Sequence, residues 1–293
     1  MKFLQSAVSF LLASTAIAVP ISNDHERRAT PRKRLALWEW TLTRDFGSYA
    51  GIRSTAKKLE SSPVIAGVMN WEAWIPSEVK LTHEPMARVM DSMTNSETWS
   101  TLKASVDAAK AGGVAAPVVH FLNEPERQGV TPRDAAKIWK SHFVNLRKKF
   151  GTKIVGPAVA SDSAGSKWLD EFMGYLDSSQ KPDYIGVHFY TSQSASGKSE
   201  VKSAQDYIAG QSFRYGGIPV VVSEIACTNR NYADVEYFTK EMIAWLDAQT
   251  WVYQYGFFGM SREPTDNFVS PAAQLMDKDG NLTKLGKIYA LNQ

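Results

Sequence analysis

The chain has a single cysteine among 293 residues. One thiol excludes an intrachain disulfide framework and any zinc site built on cysteines. Long apolar runs are missing after the amino terminus, so no later segment is a candidate membrane span. There is no HExxH or HxH pattern, no Ser-His-Asp set in a nucleophile elbow, and no glycine-rich phosphate cradle. A large charge of one sign is missing too. The 33 basic residues nearly balance the 30 acidic ones, leaving a formal net charge of +3. What is present is a globular composition, 44% hydrophobic and 22% charged, which is too apolar for disorder. A chain of this length buries a substantial core as one large domain or two ordinary ones.

Residues 1–18 read MKFLQSAVSFLLASTAIA. Lys2, the mostly apolar stretch 7–13 and the small-residue Ala16-Ile17-Ala18 site form the pattern of a secretory signal peptide, so the protein is expected to be secreted. Residues 19–34 (VPISNDHERRATPRKR) read as a basic polar tail. Setting aside Lys2 and this tail leaves 27 basic and 28 acidic residues over 35–293. The basic excess is therefore terminal. The body offers no basic stripe to a phosphate backbone, which argues against nucleic acid as a partner.

From Leu35 onward, short apolar runs alternate with amphipathic stretches. Strands are expected at 35–40, 64–69, 86–90, 115–122, 153–159, 183–190, 218–224 and 252–259. A helix over 97–110 ends at Gly112-Gly113. A second, over 132–150, has Thr131 as cap, Pro132 at its first position and Gly151 after its end. The third, over 232–248, carries a 3.6-residue stripe of Val235, Phe238, Met242 and Trp245. Strands with helices in most of the gaps imply a parallel sheet. The body 35–293 matches the roughly 250 residues of a (β/α)8 TIM barrel. The fold class expected is thus α/β, one catalytic barrel, acting as a monomer.

In such a barrel, chemistry sits at the carboxyl ends of the strands. Those ends carry Trp38-Glu39-Trp40, Asn70-Trp71-Glu72-Ala73-Trp74, Asn123-Glu124-Pro125-Glu126, His188-Phe189-Tyr190, Ser223-Glu224 and Tyr255-Gly256-Phe257-Phe258. Carboxylates set among aromatics suggest glycoside hydrolysis, which needs one protonated and one ionised carboxyl. Alternation puts His120, Leu122 and Glu124 on one face of strand four, and Val220, Val222 and Glu224 on one face of strand seven. If both series point inward, the two glutamates meet across the mouth, within reach of the about 5–5.5 Å of a retaining enzyme.

An Asn-Glu pair ending strand four with a lone Glu ending strand seven resembles clan A of the glycoside hydrolases. Within it the chain looks most like family 128, through KRLALWEW (33–40), MNWEAWIP (69–76), EPMARVM (84–90), VVHFLNEPE (118–126), YIGVHFYT (184–191), VVSEIA (221–226) and YGFFGM (255–260). The resemblance implies endo-acting, retaining hydrolysis of β-1,3-glucan without a cofactor or metal, by an extracellular enzyme for which the cell wall is one setting. It implies Glu124 as acid/base, Glu224 as nucleophile, and Asn123 on the sugar 2-hydroxyl. His188 and Tyr190 would line the strand-six side, with Tyr190 donating to Glu224. The charge of Glu224 would help keep Glu124 protonated. Two positions depart from the family pattern, Phe257 where a Trp is usual and Met69 where a Tyr is frequent, and both are read as bearing on the sugar platform.

Trp71 and Trp74 are candidate sugar-stacking residues, and Asn70, Tyr255 and Phe257 are expected to bind substrate with them. Trp38 and Trp40 read as core, and Trp139 and Trp245 as helix packing. Glu39, Glu72, Glu126 and Glu263 are additional acids at the mouth, with solvated charge as the plainer reading. His120 reads as a hydrogen-bonded core histidine and Cys227 as a small buried residue. Asn281-Leu282-Thr283 is the one N-glycosylation sequon. Two other functions stay open here, a clan A glycosidase acting on β-mannan or β-1,4-glucan, and a glucan-binding wall protein that has lost turnover.

Overall fold

The structure is a computed structural model that describes residues 32–38, 50–264 and 267–293. The signal-like segment, tail residues 19–31, Glu39 and Trp40 lie outside the described residues. The strands are β1 (Arg34–Leu37), β2 (Ile65–Met69), β3 (Met86–Ala87), β4 (Val118–Phe121), β5 (Lys153–Val155), β6 (Ile185–Tyr190), β7 (Val220–Ala226) and β8 (Val252–Phe257). All paired neighbours are parallel. Ladder pairing gives a five-stranded sheet in the order β2-β1-β8-β7-β6 and a three-stranded sheet β3-β4-β5. Single bridges join the two sheets. Val68 pairs with His83 just ahead of β3, and Val155–Tyr184 and Val159–Val187 link the β5 and β6 sides. Neighbours therefore follow chain order, as a (β/α)8 arrangement requires.

The expected third strand, 86–90, contracts to two ladder residues. The carbonyls of Ala87 and Arg88 nevertheless accept the N–H groups of Leu122 and Asn123 at 2.9 and 3.1 Å, so the chain stays docked on β4.

The longer helices are α1 (Ala50–Glu60), α2 (Ser96–Ala111), α3 (132–150), α4 (Ser163–Gly174), α5 (Gly197–Arg214), α6 (Tyr232–Ala248) and α7 (Lys284–Leu291). Their ends are set by local chemistry. Asn95 caps α2 through the N–H groups of Glu97 and Thr98, and Thr131 caps α3 through Asp134. Gly151 closes α3 in the left-handed conformation, with φ 66°. Inside α3 a π-helical turn, Trp139–Phe143, interrupts the expected regular helix and stacks those two rings at 5.6 Å. Trp139 is fully buried, and Trp245 packs edge-on against Trp251.

Two cores result. The outer one lies between sheet and helices and contains Val119, Phe121, Val187, Val220, Val222 and the α6 stripe residues Val235, Phe238 and Met242. The inner one consists of Leu35, Leu37, Met69, Met86, Val118, Val155 and Val221. Gly256 belongs to this inward series, because a Cβ there would stand 2.6 Å from Leu37. This corrects the alternation argument. Val220 and Val222 face the helices, and Leu122 joins the outer core while Val118 lies in the inner one.

The body begins earlier than residue 35. Arg34 opens β1 and is 2% exposed. Its guanidinium pairs with Asp247 of α6 at 2.7 Å and donates to the Tyr289 carbonyl of α7 at 2.5 Å. Tyr255 Oη also donates to Asp247, at 2.7 Å, and Tyr289 Oη to the Leu35 carbonyl at 2.7 Å. Lys33 Nζ reaches the Gln249 carbonyl at 2.6 Å. Two bases counted with the tail thus anchor β1 to the last two helices. Removing one partner of a buried ion pair strands the other charge, at a cost of about 3–5 kcal/mol. Asp247→Ala should lose about that much in urea unfolding, whereas Lys202→Ala, breaking an exposed pair with Asp206 on α5, should lose less than about 1 kcal/mol.

Candidate active site

The carboxyl ends of β2, β4, β6, β7 and β8 converge on Glu124 and Glu224. Glu224 enters through an irregularity of β7. Register shifts fall between Val187 and His188 on the β6 side and between Val222 and Ile225 on the β8 side. A bulge reverses the alternation, so Glu224 turns inward although Val222 points out. Glu124 is turned by backbone conformation instead, since Leu122 and Glu124 have φ of 54° and 42°. Trp71, at the end of β2, has φ 59°. Left-handed backbone at a residue other than glycine costs about 1–3 kcal/mol and persists only where the surroundings hold it.

Glu224 is 6% exposed. Tyr190 Oη donates to its Oε2 at 2.5 Å, and the Trp71 indole N–H to its Oε1 at 2.7 Å. Each oxygen of the carboxylate thus has a neutral donor. His188 is fully buried and lies between the two acids. Its Nδ1 is 3.1 Å from Glu124 Oε1, and its Nε2 is 3.6 Å from Glu224 Oε1. Burial pushes the His188 pKa down, but the charges of Glu224 and Glu124 and the hydrogen bond to Glu124 outweigh it, and the net direction is up. The two acids thus favour the charged ring more than water does, and Nδ1–H donates to Glu124.

Glu124 has a second cation. Arg127 Nε lies 3.2 Å from its Oε2, while the same guanidinium pairs with Asp162 at 3.1 Å. Burial raises the Glu124 pKa, yet His188 and Arg127 overcome it, and the net direction is down. In the free protein Glu124 therefore favours the carboxylate. The expected protonation by Glu224 is outweighed because the two nearest charges are positive.

Aromatic rings close the β8 side. Phe258 meets Trp71 at 5.6 Å and Tyr190 at 6.2 Å, and Phe268 meets Tyr190 at 5.2 Å. The segment bearing Phe268 is held by Arg230, which donates to the Val269 carbonyl at 2.8 Å.

A glycosyl hydrolase catalytic core model matches residues 57–289. The exo-β-1,3-glucanase of Aureobasidium namibiae, family 128 subgroup VI, is 33% identical over 89% of this chain and 96% of its own, with a TM-score of 0.75. The chain belongs to glycoside hydrolase family 128. It is a glycosidase. The subgroup IV endo-β-1,3-glucanase of Lentinula edodes shares the fold at 23% identity and a TM-score of 0.68, over 88% of this chain and 98% of its own. A variant of the subgroup I endo-β-1,3-glucanase of Amycolatopsis mediterranei, in complex with laminaritriose and laminaribiose, shares it at 20% identity and 0.62, over 83% and 95%. No curated protein matches the chain.

The family 128 site brings together Glu124, Glu224, His188, Tyr190 and Trp71 from the residues singled out in the sequence. Asn123 is adjacent, with its side-chain Oδ1 buried and unpartnered. Trp74 is half-buried on the same turn. Other assignments change. Tyr255 and Phe257, expected to line the cleft, are buried in the outer core, where both pack on Tyr289. Alternation through inward Gln254 and Gly256 selects Phe258 instead. Met69 lies in the inner core, so its departure from the family pattern does not bear on a sugar platform. Asn70 is fully buried and bonded within the protein, and His188 lies beneath the carboxylates rather than on the cleft wall.

The remaining candidates have structural partners. Glu72 pairs with Arg88 at 3.1 Å, and Glu126 accepts the Ala160 N–H at 2.8 Å. Glu263 is exposed. His120 is buried on Glu84 at 3.1 Å, Cys227 is buried, Trp38 lies in the outer core, and Asn281 is half-buried in the turn before α7. Sequence reasoning missed Arg127 and Phe268. No periodicity marks either, because both lie on irregular segments.

Arg127 stabilises the Glu124 anion, and removing it would leave His188 alone against burial and the repulsion of Asp162. Arg127→Gln should raise the Glu124 pKa, read as an upward move of its side-chain carboxyl titration by 13C NMR. A midpoint that stays or falls would remove Arg127 from this balance.

Proposed function

We propose that the chain is a secreted, retaining β-1,3-glucanase acting as a monomer without a cofactor. Glu224 is the nucleophile and Glu124 the acid/base. The observation that carries this reading is the pair of carboxylates on either side of one buried imidazole, with Glu224 also held by two neutral donors. Family membership and the β-1,3-glucanases among its structural neighbours support the substrate class. The near-neutral charge of the body suits an uncharged polysaccharide.

In the first step the Glu124 proton goes to the glycosidic oxygen while Glu224 attacks the sugar carbon, forming a glycosyl ester and releasing the leaving chain. In the second, Glu124 takes a proton from water as that water displaces Glu224. The free-state preference of Glu124 for the anion suits the second step. Sugar in the cleft excludes water from Glu124, which strengthens burial, the influence that already pushes its pKa up. His188, fixed by both acids, orients Glu124 in each step. Phe258 and Phe268 extend the aromatic wall on which a pyranose face can lie.

The binding-only reading rested on Phe257, which stands in the outer core and so no longer supports it. For the mode of attack, a 33% identical neighbour is an exo-enzyme and a 23% identical one an endo-enzyme.

Glu224→Gln and Glu124→Gln should each reduce laminarin hydrolysis by at least about a hundredfold while the fold is retained, given that positioned acid–base groups contribute 10²–10⁴-fold. Near wild-type release by either variant would exclude that residue. Wild-type enzyme should release sugar from linear β-1,3-glucan and not from mannan or cellulose, with the first anomer formed being β. Glucose as sole early product marks exo action, and a ladder of oligosaccharides marks the endo action implied by the sequence resemblance. Secretion predicts that the exported protein begins at Val19 on amino-terminal sequencing, and an unprocessed Met1 would exclude the leader.

A further inference from the structure

The turn that carries Trp71 rests on a buried polar chain that belongs to no part of the mechanism above. Asn70 closes the turn from both ends. Its Nδ2 donates to the Trp74 carbonyl at 3.0 Å, and its Oδ1 accepts the Glu72 N–H at 3.2 Å. The same Oδ1 lies 2.9 Å from His83 Nε2. Asn70 is fully buried and His83 is 4% exposed. His83 is itself fixed by backbone. Its neighbours Thr82 and Glu84 bond Val68 of β2, both at 2.9 Å. Gly67 permits this approach, since a Cβ there would stand 2.8 Å from the Thr82 carbonyl.

We propose that His83 is a positioning residue for Glu224. Its Nε2–H orients the Asn70 amide, Asn70 holds the 71–74 turn with Trp71 in the left-handed conformation, and Trp71 delivers its indole N–H to the carboxylate. The proposal rests on the reading of Glu224 as nucleophile.

The amide orientation follows from its partners. The Trp74 carbonyl needs a donor and the Glu72 N–H an acceptor, so Oδ1 faces His83 and the imidazole must donate. Burial and the nearby His120 push the His83 pKa down to about 3. The ring is therefore neutral across any working pH, with its single proton on Nε2. The unpartnered ring atom is Nδ1, the nitrogen without a hydrogen. His120 does not face Asn70. It pairs with Glu84, whose second oxygen accepts from Gln254 at 2.7 Å.

The groups facing Glu224 are Trp71 from β2, Glu124 with its Arg127 from β4, and His188 and Tyr190 from β6. Loss of the Trp71 donor leaves the nucleophile less well held for attack, so kcat should fall while KM stays near wild type. One hydrogen bond to a charged group corresponds to about a tenfold change in rate.

Trp71→Phe should show that full loss of kcat. His83→Leu should lower kcat in the same way, and His83→Gln, which keeps an N–H donor, should restore it. In the Trp71→Phe background His83→Leu should add nothing, because its effect passes through Trp71. An unchanged kcat in His83→Leu, or an equal further loss in the double variant, overturns the proposal. Asn70→Ala carries the same comparison if His83→Leu does not fold. In wild-type protein the 15N shifts of the His83 ring should report a protonated Nε2, and a proton on Nδ1 overturns the proposal without any variant. Failure of the nucleophile reading is separate, because Glu224→Gln would then keep its activity.

Discussion

His188 is completely buried and has a carboxylate on each side, Glu124 at 3.1 Å and Glu224 at 3.6 Å. Two anions brought together under low solvation repel strongly, and both favour the charged form of the imidazole between them, which offsets that repulsion. The rest of the site distributes what remains. Arg127 takes the outer oxygen of Glu124, while Tyr190 and Trp71 take the oxygens of Glu224. Glu124 is left with Arg127 as a further basic neighbour and Glu224 with two neutral donors. This asymmetry gives two chemically identical side chains different surroundings.

Holding that arrangement requires backbone that does not follow strand geometry. The ends of β2 and β4 place Trp71, Leu122 and Glu124 at positive φ, and β7 bulges before Glu224. Such conformations persist where surrounding polar groups hold them. Asn70 closes the Trp71 turn, and Glu84 bonds both His120 and Gln254 inside the sheet. The apolar inner core is correspondingly small, and the larger core lies outside the sheet.

The outer fold was largely legible. The cap Thr131, Gly151 after α3, and the stripe of α6 act within a few residues of themselves, so local pattern suffices to read them. The eight strands were visible as apolar runs, although the two-residue β3 could not have been delimited, because its pairing is decided by β4. The two glutamates that meet at the site were also visible, as an Asn-Glu and a lone Glu at strand ends. The parity argument behind them was not sound. Val220 and Val222 point outward, and Glu224 reaches the mouth through a bulge that no alternation shows. The same error of one position put Phe257 in the cleft in place of Phe258.

The sequence by itself determined the residue chemistry, the order of strands and helices, and the helix ends, because these depend on side-chain type and near neighbours. Only the tertiary structure decided which faces turn inward, since bulges and left-handed residues are fixed by contacts across the sheet. It also decided the charge state of Glu124, for a pKa depends on what stands within a few ångströms. Arg34 changed from tail to anchor for the same reason, since its partners lie more than two hundred residues away.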